Sequence, residues 1–218
     1  MTRLYVVSEG LTEADFVRDI LAPHIESRWP ERLAVQATNL AGQRTYAKVK
    51  KQIRTLLGNA GAAVLVTTMI DLFKLPRDFP GSAVCDDFED PEKRVEEMER
   101  FFCDDIQDMR FIPYLQLHEF EALILTDVRC LAKYYPNRRD KLVKLAKSID
   151  KQFKSPEEVN RMTPPSSRIR TAVPEYQKRL FGISAVTDLG IERIRARCKH
   201  FHKWLQKLED PFPSPAAL

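Results

Sequence analysis

Several acidic groups in this chain follow short apolar runs, and residues placed that way could do chemistry together. Glu9 follows Leu4-Tyr5-Val6-Val7-Ser8, Asp71 follows the run from Ala62 to Ile70, and Glu119 and Glu121 follow the run from Phe111 to Leu117. Glu13 stands four positions beyond Glu9, across Gly10. Carboxylates brought to one point repel unless a proton or a cation lies between them, so a hard divalent ion such as Mg²⁺ is a natural companion. The competing reading is plainer. Glu9 is then a solvated loop residue, Glu13 offsets a helix dipole, and Asp71 caps a turn or helix.

The apolar runs show no alternation, as expected of strands covered on both faces. After Glu9, Gly10 eases a sharp turn and Thr12 is a suitable N-cap for a helix burying Phe16, Val17, Ile20, Leu21 and Ile25. A second strand is predicted at Leu33 to Thr38. Gly42 then marks a loop before a helix with Tyr46, Val49, Ile53, Leu56 and Leu57 on its inner face, closed by Gly58 and Gly61. The β-α-β-α-β order predicts a parallel sheet, in which Glu9 and Asp71 share the carboxyl edge where ligands bind in open α/β sheets. Phe73 to Asp90 has no periodicity and carries Pro76, Pro80, Gly81 and the acidic Asp86, Asp87, Glu89 and Asp90. A loop that long reads as a functional lid or a disordered segment. A helix starting at Pro91 follows, burying Val95, Met98, Phe101, Phe102 and Ile106, and then one strand over Phe111 to Leu117. If the chain turns helical at Glu119, that residue and Glu121 splay by about 200°. One is then a ligand and the other an orienting or surface group.

The 218 residues suffice for one domain with an appended subdomain, divided here as an α/β domain over 1–127 and a basic helical extension over 128–218 packed on it. Charged residues make up 30%, and no apolar run reaches the ~18 residues of a membrane helix; the expectation is a cytoplasmic protein. Cys85, Cys103, Cys130 and Cys198 form no C-x-x-C pair, which disfavours zinc and redox motifs. Net charge is only +4, so bulk charge says little about nucleic acid. Its distribution says more. Ser155-Pro156-Glu157-Glu158 has a helix-capping signature. From Arg168 to Leu208 the pattern is helical and basic, including Arg168, Arg170, Lys178, Arg179, Arg193, Arg195 and Arg197, with Phe201 and Trp204 interleaved. Such a stretch could track phosphates and stack bases, or be an ordinary solvated face over a core of aromatics. From Pro211 onward a loose terminus is expected.

Three blocks together resemble the bacterial family called domain of unknown function 4276. They are Ser8-Glu9-Gly10-x-Thr12-Glu13-x-x-Phe16, Thr67-Thr68-Met69-Ile70-Asp71 with Leu75-Pro76-x-Asp78-Phe79-Pro80-Gly81, and Arg110-Phe111-Ile112-Pro113-Tyr114-x-Gln116-x-His118-Glu119-Phe120-Glu121. Ser155-Pro156-Glu157-Glu158-x-Asn160, Pro165-Ser166-Ser167-Arg168-Ile169 and Cys198-x-His200-Phe201-x-x-Trp204-Leu205 fit as well. That family is similar in turn to the Toprim fold of topoisomerases, primases and nucleases of the overcoming-lysogenization-defect type. The resemblance implies a Toprim-like α/β core with a mostly parallel sheet and a C-terminal helical extension. It also implies a Mg²⁺- or Mn²⁺-dependent nuclease whose metal and catalytic residues are Glu9, Glu13, Asp71, Glu119 and Glu121, with a nucleic-acid substrate and an ATPase partner in anti-phage defence. Arg168, His118 and Arg170 are the candidates for gripping substrate. One departure is plain: the Toprim Asp-x-Asp appears here as Asp71-Leu72-Phe73, with one carboxylate missing. A non-catalytic regulatory or nucleic-acid-binding subunit is therefore the alternative. Nucleotidyl transfer would need a phosphate-cradling Gly-rich loop of Walker type, and none is present.

Overall fold

The computed structural model describes residues 2–40, 45–58, 63–85, 88–159 and 162–210, with the Lys74 side chain excluded. Gly42, Gly61, Ala62, Asp86, Asp87, Asn160 and the end from Pro211 lie outside the described residues. Strand β1 (Thr2–Ser8) leads into helix α1 (Leu11–Phe16), which passes through a π turn (Val17–Leu21) into α2 (Ala22–Glu26). Next come β2 (Leu33–Asn39), α3 (Tyr46–Leu57), β3 (Val64–Asp71), α4 (Ser82–Cys85) and α5 (Pro91–Ile106). Two short strands follow, β4 (Phe111–Ile112) and β5 (Leu115–Gln116), and then α6 (Glu121–Ile124) and α7 (Arg139–Gln152). The chain ends in α8 (Pro165–Ala172), a π turn (Lys178–Gly182), α9 (Ile183–Leu189), α10 (Ile191–Arg197) and α11 (Lys199–Glu209).

Sheet order is β2-β1-β3-β4, with β5 also on β3, and every pairing is parallel. Successive side chains of a strand point to opposite faces, so β1 sends Leu4 and Val6 into one apolar cluster and Tyr5 and Val7 into another. The first cluster is shared with α1, α2 and the C-terminal helices, and the second with α3 and α5. The α/β expectation is met: a parallel sheet lies between helical layers, with a helical C-terminal stretch.

Several local expectations are corrected. The N-cap of α1 is Gly10, not Thr12, because the Ala14 N–H already bonds the Gly10 carbonyl and closes the first turn. The strand expected over Phe111 to Leu117 is broken. Pro113 has no N–H to give, and the hydroxyls of β3 stitch the gap: Thr67 Oγ1 donates to the Ile112 carbonyl (2.6 Å), while Thr68 Oγ1 accepts from Tyr114 N (3.0 Å) and donates to Tyr114 O (2.8 Å). The segment after Asp71 is not featureless, since it holds a 3-10 turn (Leu72–Lys74), a turn bonded from Phe79 N to Pro76 O, and α4. Ser155 Oγ accepts from Glu157 N and Glu158 Oε2 from Lys154 N, so the reciprocal capping pair does not form; only a 3-10 turn (Pro156–Glu158) results and the chain is extended again at Val159. The interleaved aromatics are core, not a stacking platform. Phe201 and Trp204 are buried, with Trp204 stacked on Tyr114 at 4.1 Å and its Nε1–H donated to Thr67 Oγ1.

Candidate functional site

β1 and β3 are parallel neighbours in which Ser8 pairs with Met69, so their carboxyl ends lie side by side. Glu9 N donates to Met69 O at 3.1 Å, and Glu9 Oε2 accepts from Asp71 N at 3.2 Å. Alternation along β3 turns Asp71 to the same face as Leu65 and Met69, toward α1 and the C-terminal helices. It is fully buried there. Gly10 is extended (φ −145°), so no left-handed turn explains it. Room does: a Cβ on Gly10 would lie 3.2 Å from Glu13 Oε2.

Glu13, in the first turn of α1, and Glu121, in the first turn of α6, are both buried, and they meet through a side chain from the far end of the sequence. Lys178 Nζ stands 3.0 Å from Glu13 Oε1 and 3.4 Å from Glu121 Oε2, over the Phe120 ring at 5.3 Å. Burial pulls the lysine pKa down, but Glu121, Asp71 and Glu13 outweigh it and hold the ammonium above its usual value. For Glu121, burial is the largest influence and pushes the carboxyl up, Lys178 opposes, and Glu119 adds to the rise. Three carboxylates, Glu13, Asp71 and Glu121, thus act on one ammonium.

Glu119 points elsewhere. Its Oε2 accepts from Ser166 N at 3.0 Å and so ties α8 to the turn that carries Glu121. His118 is buried in a left-handed conformation (φ 68°), donates Nε2–H to the Glu157 carbonyl at 2.9 Å and lies against the Phe73 ring. Arg168 bonds Thr163 O and covers the Phe153 ring, and Arg170 is exposed on α8. Lys178 is the residue that reading the sequence did not single out. It was one cation in a basic run, with no spacing to mark it.

The donor set suits a hard divalent ion: Glu9, Glu13, Asp71 and Glu121 are all carboxylates, three of them buried. Among the described residues no three such side chains stand in a ligating array, and Glu13 and Glu121 are instead drawn to Lys178.

No curated protein matches the sequence. Among solved structures, the chain is similar to the C-terminal region of the Burkholderia pseudomallei OLD protein. Identity is 14%, the alignment covers 95% of this chain and 97% of that one, and the TM-score is 0.45, too distant to bear on chemistry. The family model described as domain of unknown function (DUF4276) matches residues 8–209, which include every group of the site, and the chain belongs to that family.

Proposed function

We propose that the protein is a divalent-metal-dependent phosphodiesterase acting on nucleic acid. The observation carrying this reading is the ammonium of Lys178 set between Glu13 and Glu121 beside Asp71 and Glu9, at the carboxyl edge of a parallel sheet. Glu9, Asp71 and Glu13 are the residues that would hold Mg²⁺ or Mn²⁺, with Glu121 next to them. A divalent ion, when bound, supplies Lewis acidity to the phosphoryl group and neutralises its charge.

The rest of the work falls to the protein. Lys178 has three N–H donors, of which Glu13 and Glu121 take two, and the third can meet a phosphoryl oxygen as charge builds on it. Glu13 and Glu121 fix the direction of that donor. Glu121, whose carboxyl burial raises and Lys178 lowers, stands 3.4 Å from the ammonium and helps to fix its position. Glu119 keeps α6 in place through Ser166.

The test pairs Mn²⁺ binding, followed by electron paramagnetic resonance, with cleavage of DNA and of RNA in Mg²⁺ or Mn²⁺. Asp71→Asn and Glu9→Gln should each weaken ion binding and abolish cleavage while the far-ultraviolet circular dichroism stays unchanged. Wild-type protein that neither holds Mn²⁺ nor cuts either polymer would overturn the reading. It would favour a non-catalytic regulatory or nucleic-acid-binding subunit instead, a reading to which the engagement of Glu13 and Glu121 by Lys178 lends support. By the same sequence resemblance, we extend the proposal to an ATPase partner and a role in anti-phage defence.

A further inference from the structure

The irregular segment after Asp71 builds a second concavity that the carboxylate site does not use. A cavity of about 430 Å³ opens between this segment and α5, its wall beginning at Leu72, the residue directly after Asp71. Phe73, Leu75 and Met98 give it apolar surface; Arg77, Arg94 and the Ser82 hydroxyl give it donors. Two guanidiniums and a hydroxyl are groups that recognise a phosphate, and the flat and aliphatic surfaces beside them suit a base or sugar.

The walls are held in place. The Phe73 ring lies 4.7 Å from that of His118, which is itself fixed by donation to the Glu157 carbonyl. Arg94 and Met98 are four apart on α5 and so share one face of that helix. Gly81, at φ +81°, lets the chain close onto α5: a Cβ there would sit 2.7 Å from Phe101 Cδ2.

We propose that this cavity is a nucleotide subsite, with the phosphate at Arg77, Arg94 and Ser82 and the base or sugar against Phe73, Leu75 and Met98. Its role as the seat of a nucleotide neighbouring the cleaved bond rests on the phosphodiesterase reading. Affinity for a nucleotide as such does not. Two sources share this chemistry: one unit of a bound strand, or a free mononucleotide.

The experiment measures equilibrium binding to the full-length protein in EDTA, so that grip is read apart from hydrolysis. The probes are a fluorescent 5′-phosphorylated oligothymidylate and, separately, thymidine 5′-monophosphate. Arg77 is exposed and tolerates Arg77→Gln; Ser82→Glu places a carboxylate in the cavity and serves if Arg94→Gln fails to fold. Each variant should weaken oligonucleotide binding about tenfold, and losing one phosphate contact should lower the salt slope by roughly one unit. If the mononucleotide is bound by wild-type protein and lost in parallel, a free nucleotide is the ligand. If only the oligonucleotide is affected, the ligand is a unit of a strand. Unchanged binding of both probes in Arg77→Gln and Ser82→Glu overturns the subsite. Because no step requires metal or cleavage, that failure is distinct from a failure of Glu9→Gln to abolish hydrolysis.

Discussion

Lys178 pairs with two buried carboxylates, and its removal should leave them without that cation. In Lys178→Met the carboxylates of Glu13 and Glu121 keep their burial and lose their nearest cation. Breaking a buried pair by deleting one partner costs roughly 3–5 kcal/mol, and the low end, about 3, is expected here because the lysine side chain is 24% exposed. Urea unfolding at neutral pH reads this directly. The deficit should shrink as the pH falls and the orphaned carboxyls take up protons. A deficit that does not depend on pH would mean Lys178 acts by packing alone. The acidic half of the site was legible in the sequence because Glu9 and Asp71 each end an apolar run, and a strand's last residue is fixed by the strand. The cationic half was not. Lys178 returns to Glu13 across 165 positions, and only tertiary packing decides which member of a basic run makes that return.

At the scale of elements, α11 is docked by buried acids. Glu157 accepts from the N–H groups of His200 and Phe201 at 2.9 and 3.0 Å, satisfying donors that a helix start leaves open. His200 Nε2 lies 2.9 Å from Glu99, whose Oε1 also accepts from Leu115 N in β5, and Tyr114 stacks on the imidazole. Burial lowers the His200 pKa, but Glu99, Glu157 and Glu96 outweigh it, so it sits above its ordinary value. Burial raises the Glu157 carboxyl. A folded-state pKa above the unfolded one gives stability that is complete below the unfolded value and is lost as pH rises through the folded one. The urea midpoint should therefore fall as the pH rises above the ordinary imidazole value of about 6.5, where His200 is held protonated in the folded protein and is then titrated. His200→Gln, which keeps a donor and loses the charge, should flatten that decline. An equal decline in the variant would rule His200 out as its source. Gly81 offers a second check: at φ +81° against Phe101, Gly81→Ala should cost more than about 1 kcal/mol and lower the melting temperature. Periodicity located α3 and α5, since their buried positions follow the helical repeat. It could not locate the break between β4 and β5, which comes from Pro113 meeting two threonine hydroxyls of another strand.

The whole molecule closes by joining its last helix to α2, and this decides where nucleic acid can be gripped. Glu209, at the end of α11, accepts two bonds from Arg195 (2.7 and 3.0 Å), lies 2.8 Å from His24 and 2.9 Å from Arg28, and gives its carbonyl to Trp29 Nε1–H. Arg197 pairs with Asp150, Lys203 with Glu92 and Glu96, and Arg179 with Asp15. The basic run that looked like a strand-tracking surface is thus largely engaged within the protein, a pairing invisible from the run itself because its acids lie in other elements. A cation already paired has little counterion-releasing capacity to offer a phosphate. Arg195→Gln should then act on stability: it removes the fork-shaped pair with Glu209, and because Glu209 keeps Arg28 the cost is roughly 1.5–3 kcal/mol, that of charged hydrogen bonds. The dependence of oligonucleotide affinity on salt should stay as in wild type. Measured side by side with Arg77→Gln in EDTA, the two variants should separate: Arg195→Gln lowers the urea midpoint and keeps the salt slope, whereas Arg77→Gln keeps the midpoint and loses slope. The reverse pattern would move the nucleic-acid surface to α10 and α11, where the aromatic side chains Phe201 and Trp204 are already committed to the core.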